Sequence, residues 1–268
     1  MKFTVFGSRG FIGSHLVRTL NARGIECVTP DRGEIPNELG HAVWAIGLTA
    51  DFRQRPIDTV RAHVAAVLDV LERGRFDSFL YLSSTRVYAG APAGVEETTF
   101  NVDPMNGSDL YNLSKLMGES VCHAAGRANV RVARLSNVFG ADFDSSNFLS
   151  SIIRDAVETQ EVVFSTAAGS AKDYVSIDDV TATLIDLAIN GRHVVYNIAS
   201  GENTTNGDVA HALQELTGCR IRFADNVKTV VFPPISIARL QQEFEFKPVR
   251  LLDALPALVQ SFGSVSTK

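Results

Sequence analysis

Tyr111 and Lys115 stand four residues apart in YNLSK, within a stretch whose apolar spacing is helical. On a helix the two side chains project from one face. That leaves two readings, a surface pair or a phenol and an ammonium placed for proton transfer. A phenol with a pKa of about 10 is a poor base at neutral pH, and a nearby cation stabilises its anion. Upstream, LYLSSTRVY (residues 80–88) ends an apolar strand in the hydroxyls of Ser83, Ser84 and Thr85, at the edge where open parallel sheets bind ligands.

A third group is the glycine loop. Gly7, Gly10 and Gly13, with Arg9, Phe11 and Ile12 between them, form GxxGxxG directly after a strand and directly before a helix. The first glycines keep the turn tight and let the backbone approach a pyrophosphate, which then sits on the helix's N-terminal amides; the last lets the helix pack close to the sheet. Asp31 ends the next strand, eighteen residues past Gly13. It is placed to accept hydrogen bonds from an adenosine ribose, which favours NAD, because a 2′-phosphate would meet a like charge. Arg32 follows at once, and a guanidinium there keeps NADP open. Arg9 is a further candidate phosphate contact.

These residues need a scaffold, and the chain supplies alternating elements. Strands are expected at Lys2–Phe6, Ile25–Thr29, Ala42–Ile46, Phe79–Ser83 and Val130–Leu135, and helices at Ile12–Arg23, Ile57–Arg73 and Ser108–Arg127. Such alternation predicts a doubly wound α/β fold of Rossmann type, a parallel sheet with helices on both faces. Further helices are expected near Phe148–Glu158, Ile177–Ile189 and Asn206–Leu216, where the rhythm loosens. We divide the chain into a dinucleotide-binding domain, residues 1–140, and a smaller substrate lobe, residues 141–268, interwoven with segments returning to the first.

Among 268 residues, 25 Lys and Arg against 30 Asp and Glu leave a net charge of −5, which gives no support for a nucleic-acid or anionic-membrane partner. No apolar run reaches the roughly 18 residues of a membrane span. Cys27, Cys122 and Cys219 show no metal-ligand spacing and fit a reducing, cytoplasmic compartment. His15, His63 and His123 are scattered, so core or solvated histidines are expected and no metal site.

Taken together, GxxGxxG, SSTRVY and YNLSK resemble the extended short-chain dehydrogenase/reductase superfamily, in its nucleotide-sugar epimerase/dehydratase branch typified by UDP-galactose 4-epimerase. RLSNVFG (134–140), KDYVSIDDV (172–180) and YNIASG (196–201) match later signatures of that branch in order. The resemblance implies an enzyme using NAD or NADP on a nucleotide-linked sugar, commonly as a homodimer paired through the helices corresponding to Ile57–Arg73 and Ser108–Arg127. It implies Ser84 as the catalytic hydroxyl with Thr85 as its neighbour, Tyr111 as general acid/base, and Lys115 as the residue that holds the nicotinamide ribose and lowers the tyrosine pKa. Thr85, Arg86 and Asn137 fall at the substrate, while Asp173 and Asp178 fall at structural positions; the Asp178-Asp179 pair is expected to cap a helix.

The pattern also departs from the branch. About ten residues separate Asp31 from the strand at Ala42, too few for the usual third strand and helix, so that strand is expected to be missing together with the Asp that contacts adenine. AIGLTA (45–50) replaces the common HxAA-type turn, with Gly47 able to approach the cofactor, and DFRQRP (51–56) either lines the site or is a polar loop. Thr85-Arg86 stands where dehydratases carry Asp-Glu, which leaves an epimerase or a ketoreductase, in surface-polysaccharide or secondary-metabolite synthesis. The alternative from a different class is a catalytically silent dinucleotide-binding sensor or assembly protein.

Overall fold

The computed structural model describes residues 1–49, 51–142, 145 and 147–266. The elements run β1 (Lys2–Phe6), α1 (Phe11–Ala22), β2 (Glu26–Val28), β3 (His41–Trp44), α2 (Pro56–Val60), a π-helical turn (Arg61–Ala65), α3 (Ala66–Arg73), β4 (Ser78–Ser84), a 3₁₀ turn (Thr85–Tyr88), α4 (Leu110–Ala124), β5 (Val130–Leu135) and β6 (Asn137–Phe139). They continue through α5 (Phe148–Glu158), β7 (Glu161–Phe164), β8 (Ala171–Ser176), α6 (Ile177–Asn190), β9 (Val195–Ile198), β10 (Asn203–Thr205), α7 (Asn206–Thr217), β11 (Arg220–Phe223), α8 (Ala238–Phe244) and α9 (Leu251–Ser266).

Six strands make the central sheet in the order β2-β1-β3-β4-β5-β9, every pair parallel. A parallel sheet is covered on both faces, so its strands read as continuous apolar runs, as FLYL does in β4. On one face α1 and α6 lay Leu16, Leu20, Val180 and Leu184 against Val5, Leu80 and Ala133. On the other, Val67, Val70, Leu71 and Cys122 from α3 and α4 cover Trp44, Phe79 and Tyr81. Along Ile57–Arg73 the apolar residues divide: Val67 and Leu71 are buried on the sheet, whereas Ile57, Val60 and Leu68 are exposed. β3 pairs directly with β1, and among the described residues no strand lies outside β2, so the usual third strand is absent.

Segments after residue 140 do two jobs. β9 and α6 complete the central sheet and its cover, while α5, α7 and α9 enclose a second core around Ile152, Phe164, Leu213 and Leu255. Between them, β6, β8 and β10 form a small sheet in the order β10-β8-β6. The Asp173 carboxylate ties β8 to the next turn by accepting from the amides of Ser200, Gly201 and Glu202.

Helix starts divide into two kinds. Asn147, Ser176 and Thr205 cap α5, α6 and α7 with a side-chain oxygen. The cap of α6 is thus Ser176, and Asp178 and Asp179 lie one step inside, with Asp179 accepting from the Ser176 hydroxyl. α1 begins at Gly10 with no side-chain cap, so its first amides stay open.

The expected helix Ile57–Arg73 is interrupted by the π turn at Arg61–Ala65. There the Ala62 carbonyl accepts from the Trp44 indole (3.4 Å) and the His63 carbonyl from the Tyr81 hydroxyl (3.0 Å). A Cβ on Gly118 would occupy the space where Tyr81 meets that carbonyl. Single π turns of this kind recur at functional sites, and this one carries His63 inward beside α4.

Candidate active site

A cavity of about 660 Å³ opens at the C-terminal edge of β1, β3, β4 and β5, where such sheets bind ligands. Gly10, Phe11 and Ile12 line one end, Gly47, Ser84, Tyr111 and Lys115 the middle, and Arg86, Asn137 and Lys172 the far end. Gly7, Arg9, Gly13, Asp31 and Arg32 do not line it.

The glycine-loop end has the shape of a pyrophosphate cradle. Gly7 adopts φ +84°, which a side-chain-bearing residue rarely does. A Cβ on Gly13 would run into the Gly7 carbonyl, so only glycine lets α1 start this close to β1. The uncapped start of α1 faces the cavity and favours an anion through its free amides and dipole. Further in, Asn112 is buried on the cavity wall with its Oδ1 unpartnered. An orphaned buried acceptor is costly and marks a place for a donor from a ligand. The residues present therefore fit a dinucleotide.

Where the sequence predicts the adenosine, Arg9 and Asp31 bond each other at 2.9 Å with side-chain exposures of 91% and 81%. Arg32 is exposed beside them. The three residues come together, but on the surface and with their charges partly cancelled.

In the middle, α4 presents Tyr111 and Lys115 from one face, 4% and 5% exposed. They are not a surface pair. Burial dominates the Tyr111 phenol and holds its pKa above the ordinary value, while the neighbouring hydroxyls of Ser84 and Thr49 and the Arg86 charge pull the other way, toward the phenolate. The Ser84 oxygen accepts from the Arg86 amide at 3.2 Å, which leaves its proton for the phenol or a substrate oxygen. Thr85, one residue on, is buried in the 3₁₀ turn. Lys115 Nζ donates to the Leu82 carbonyl at 2.8 Å. Burial pushes its pKa down to about 7 against the opposing pull of Glu119. The cation acting on the phenol in this structure is thus Arg86, with Lys115 one turn along and poised near neutrality.

His63 fills the space behind them. Its Nε2 accepts from the Leu48 amide (3.2 Å), so Nδ1 carries the proton and donates to Ser114 Oγ (2.8 Å), which donates to the Tyr111 carbonyl. Burial, with Lys115 adding to it, pushes the His63 pKa down to about 3. The ring stands edge-on to Tyr111 at 5.4 Å. It is a neutral core histidine, as its scattered position suggests, and it fixes the rotamers around it. From the 51–56 segment, Phe52 packs against Tyr111 at 5.5 Å, while Arg55 pairs with Asp51 and Asp58 on the surface.

At the far end Asn137 donates to the Asp173 carbonyl at 2.8 Å. Lys172 lies over the Phe148 ring at 4.9 Å, its pKa lowered by burial and by Arg86. Thr49 and Lys172 are site residues that no chemical motif singles out; the available signal for Lys172 is its place beside Asp173 in KDYVSIDDV.

A parallel sheet, a glycine cradle and a half-buried Ser84 beside buried Tyr111 and Lys115 at the strand ends define a dinucleotide-dependent Rossmann protein of the short-chain dehydrogenase/reductase type. The model of the NAD dependent epimerase/dehydratase family matches residues 3–53 and 35–199, and the chain belongs to that family. It is 24% identical to UDP-glucuronic acid decarboxylase 4 of Arabidopsis thaliana, over 98% of this chain and 68% of the relative. Among solved structures it resembles MoeE5 in complex with UDP-glucose and NAD, with a TM-score of 0.83 and 21% identity over all of both chains. It also resembles RMD from Pseudomonas aeruginosa complexed with NADPH, with a TM-score of 0.79 and 24% identity over 98% of this chain and 99% of the other. Among the described residues no helix is long and apolar enough to cross a membrane, and no group of three metal-ligating side chains occurs.

Proposed function

We propose that the protein is an NAD(P)-dependent epimerase or ketoreductase that acts at a hydroxyl or keto carbon of a nucleotide-linked sugar, of the 4-epimerase or 4-ketoreductase type. The observation that carries this is the Tyr111 phenol, buried in the cavity wall beside Ser84, which also lines the cavity, with the Arg86 guanidinium over its ring. Nucleotide-linked sugars are what MoeE5 binds and what the decarboxylase's name specifies. The bound cofactor supplies a hydride acceptor and donor at the sugar carbon. Ser84 holds the substrate oxygen by donating to it; the neutral Tyr111 phenol gives its proton to the keto oxygen on reduction, and the phenolate that results, favoured by the Arg86 charge, takes the hydroxyl proton back on oxidation. Lys115, with one acceptor in Leu82, keeps further protons for the cofactor ribose. Gly7 and Gly13 shape the cradle from behind, and Gly10, Phe11 and Ile12, which line the cavity, hold the pyrophosphate at the helix start. Asn137 and Lys172 lie on the nucleotide side of the sugar.

The test is Tyr111→Phe on the substrate found by screening nucleotide-linked keto-sugars for oxidation of the reduced nicotinamide, read by absorbance, and nucleotide hexoses for an epimeric product, read by NMR. Ring packing on Phe52 and His63 is kept, so folding and cofactor affinity should hold. Turnover should fall about 10²- to 10⁴-fold, or roughly 3–5 kcal/mol of barrier. A variant that keeps half its turnover would show that the proton travels elsewhere.

A further inference from the structure

Arg86 is a cation beside the reacting group with no ion-pair partner among the described residues. It lies two residues past Ser84 in the 3₁₀ turn and lines the cavity. Its Cζ is 5.3 Å from the Tyr111 ring centroid and 5.0 Å from that of Phe52. Its side chain makes one long hydrogen bond, 3.4 Å to the Ser108 carbonyl, and no ion pair among the described residues. The acid nearest in effect is Asp109, whose Oδ2 already accepts from the Asp103 amide. The other charges around it are like charges, Arg53 and Lys172. Arg134 shows what a settled guanidinium looks like in this chain: it donates to both oxygens of Glu119, to Tyr88 and to the Glu96 carbonyl. A half-buried fork with open donors is a waiting site for a planar anion, which it grips through two parallel bonds.

Resting on the function proposed above, we infer that the sugar carries a carboxylate on the carbon next to the reacting one, a nucleotide-linked hexuronate, and that Arg86 recognises it. Position decides between the two anions such a substrate offers. The guanidinium stands over the Tyr111 ring, beside the oxygen that the carbinol must reach, and the carboxylate is carried by the carbon next to the carbinol carbon. With reaction at carbon 4 the diphosphate hangs from the opposite side of the sugar ring, away from the Tyr111 oxygen. Arg86 is then a residue that selects the substrate, and Tyr111 remains the proton carrier.

The experiment is calorimetric titration of the cofactor-loaded protein. UDP, dTDP, GDP and ADP first identify the base, and the hexose and hexuronate of that base are then compared. The hexuronate should bind about 10- to 100-fold more tightly than the hexose. Arg86→Gln should bring that ratio close to one while leaving the affinity for the bare nucleoside diphosphate unchanged, and Arg86→Lys should restore part of it. A wild-type ratio near one overturns the inference and leaves the proposed function standing. Equal weakening of hexose, hexuronate and nucleoside diphosphate by Arg86→Gln also overturns it, placing the guanidinium on the diphosphate. If none of the four diphosphates binds, the nucleotide-sugar reading falls and the inference falls with it.

Discussion

Two buried cations on neighbouring elements, Arg134 and Lys115, meet opposite fates. Arg134 on β5 and Glu119 on α4 are 5% and 4% exposed and bonded at 2.7 Å, with Ser83, Tyr88 and Asn197 completing the network around them. One helical turn earlier Lys115 is as deeply buried with a single carbonyl acceptor, and burial dominates its ionisation. The same helix thus presents a satisfied network toward the core and an unsatisfied charge toward the cavity. Full partnership makes a buried ion a structural element; partial partnership makes it costly unless a ligand completes it. The difference separates scaffold from site more sharply than residue type does.

The largest effect should come from breaking the satisfied side. Arg134→Met leaves the Glu119 carboxylate buried without its cation, and losing one partner of such a pair costs about 3–5 kcal/mol. Urea unfolding should show that loss. Glu119→Leu combined with Arg134→Met should recover part of it, because no orphaned charge remains. A single variant as stable as the wild type would mean that the network is solvated and that the contrast with Lys115 is empty.

The second effect has the opposite sign. In the unfolded chain Lys115 titrates near its ordinary value, whereas burial holds it at about 7 in the folded protein. Between those two pKa values the unfolded chain binds the extra proton, so stability rises with pH across that window, and the full penalty is present below it. Lys115→Met should therefore stabilise the ligand-free protein at pH 6 by roughly 1–3 kcal/mol. The gain should shrink as pH approaches 10, and cofactor affinity should fall. Unfolding curves at pH 6 and pH 9 decide it: destabilisation at both would show that Lys115 has partners enough to belong with Arg134.

This contrast also explains how much was legible in the sequence. The βαβ alternation, the glycine loop and the Tyr111–Lys115 spacing are local patterns, and the parallel sheet and the centre of the site follow from them. The missing third strand was legible too, because chain length alone forbids it. β6 and β10 were not, since each is three residues long and exists by pairing with β8. The π turn was not, because its carbonyls are satisfied by Trp44 and Tyr81 from other elements. Thr49 and the lack of an ion pair at Arg86 among the described residues depend on what the fold brings near them, which no spacing rule contains.

The smallest effect belongs at the adenosine end, where charge is neither buried nor unpaired. Asp31 read alone should repel a 2′-phosphate and select NAD. In the structure it is bonded to Arg9 and flanked by Arg32, and the Glu34 carboxylate accepts from its amide at 3.1 Å, so that loop carries two cations and two carboxylates. An exposed pair contributes at most about 1 kcal/mol, and Asp31→Asn should change unfolding stability by less than roughly 0.5 kcal/mol. Its effect should appear in cofactor choice, because the variant frees Arg9 and removes one of the two carboxylates, leaving Glu34. The ratio of NADP to NAD affinity should rise by about tenfold, read by fluorescence titration of the reduced cofactors. An unchanged ratio would show that Arg9 already cancels Asp31 and that the adenosine ribose is held by neither.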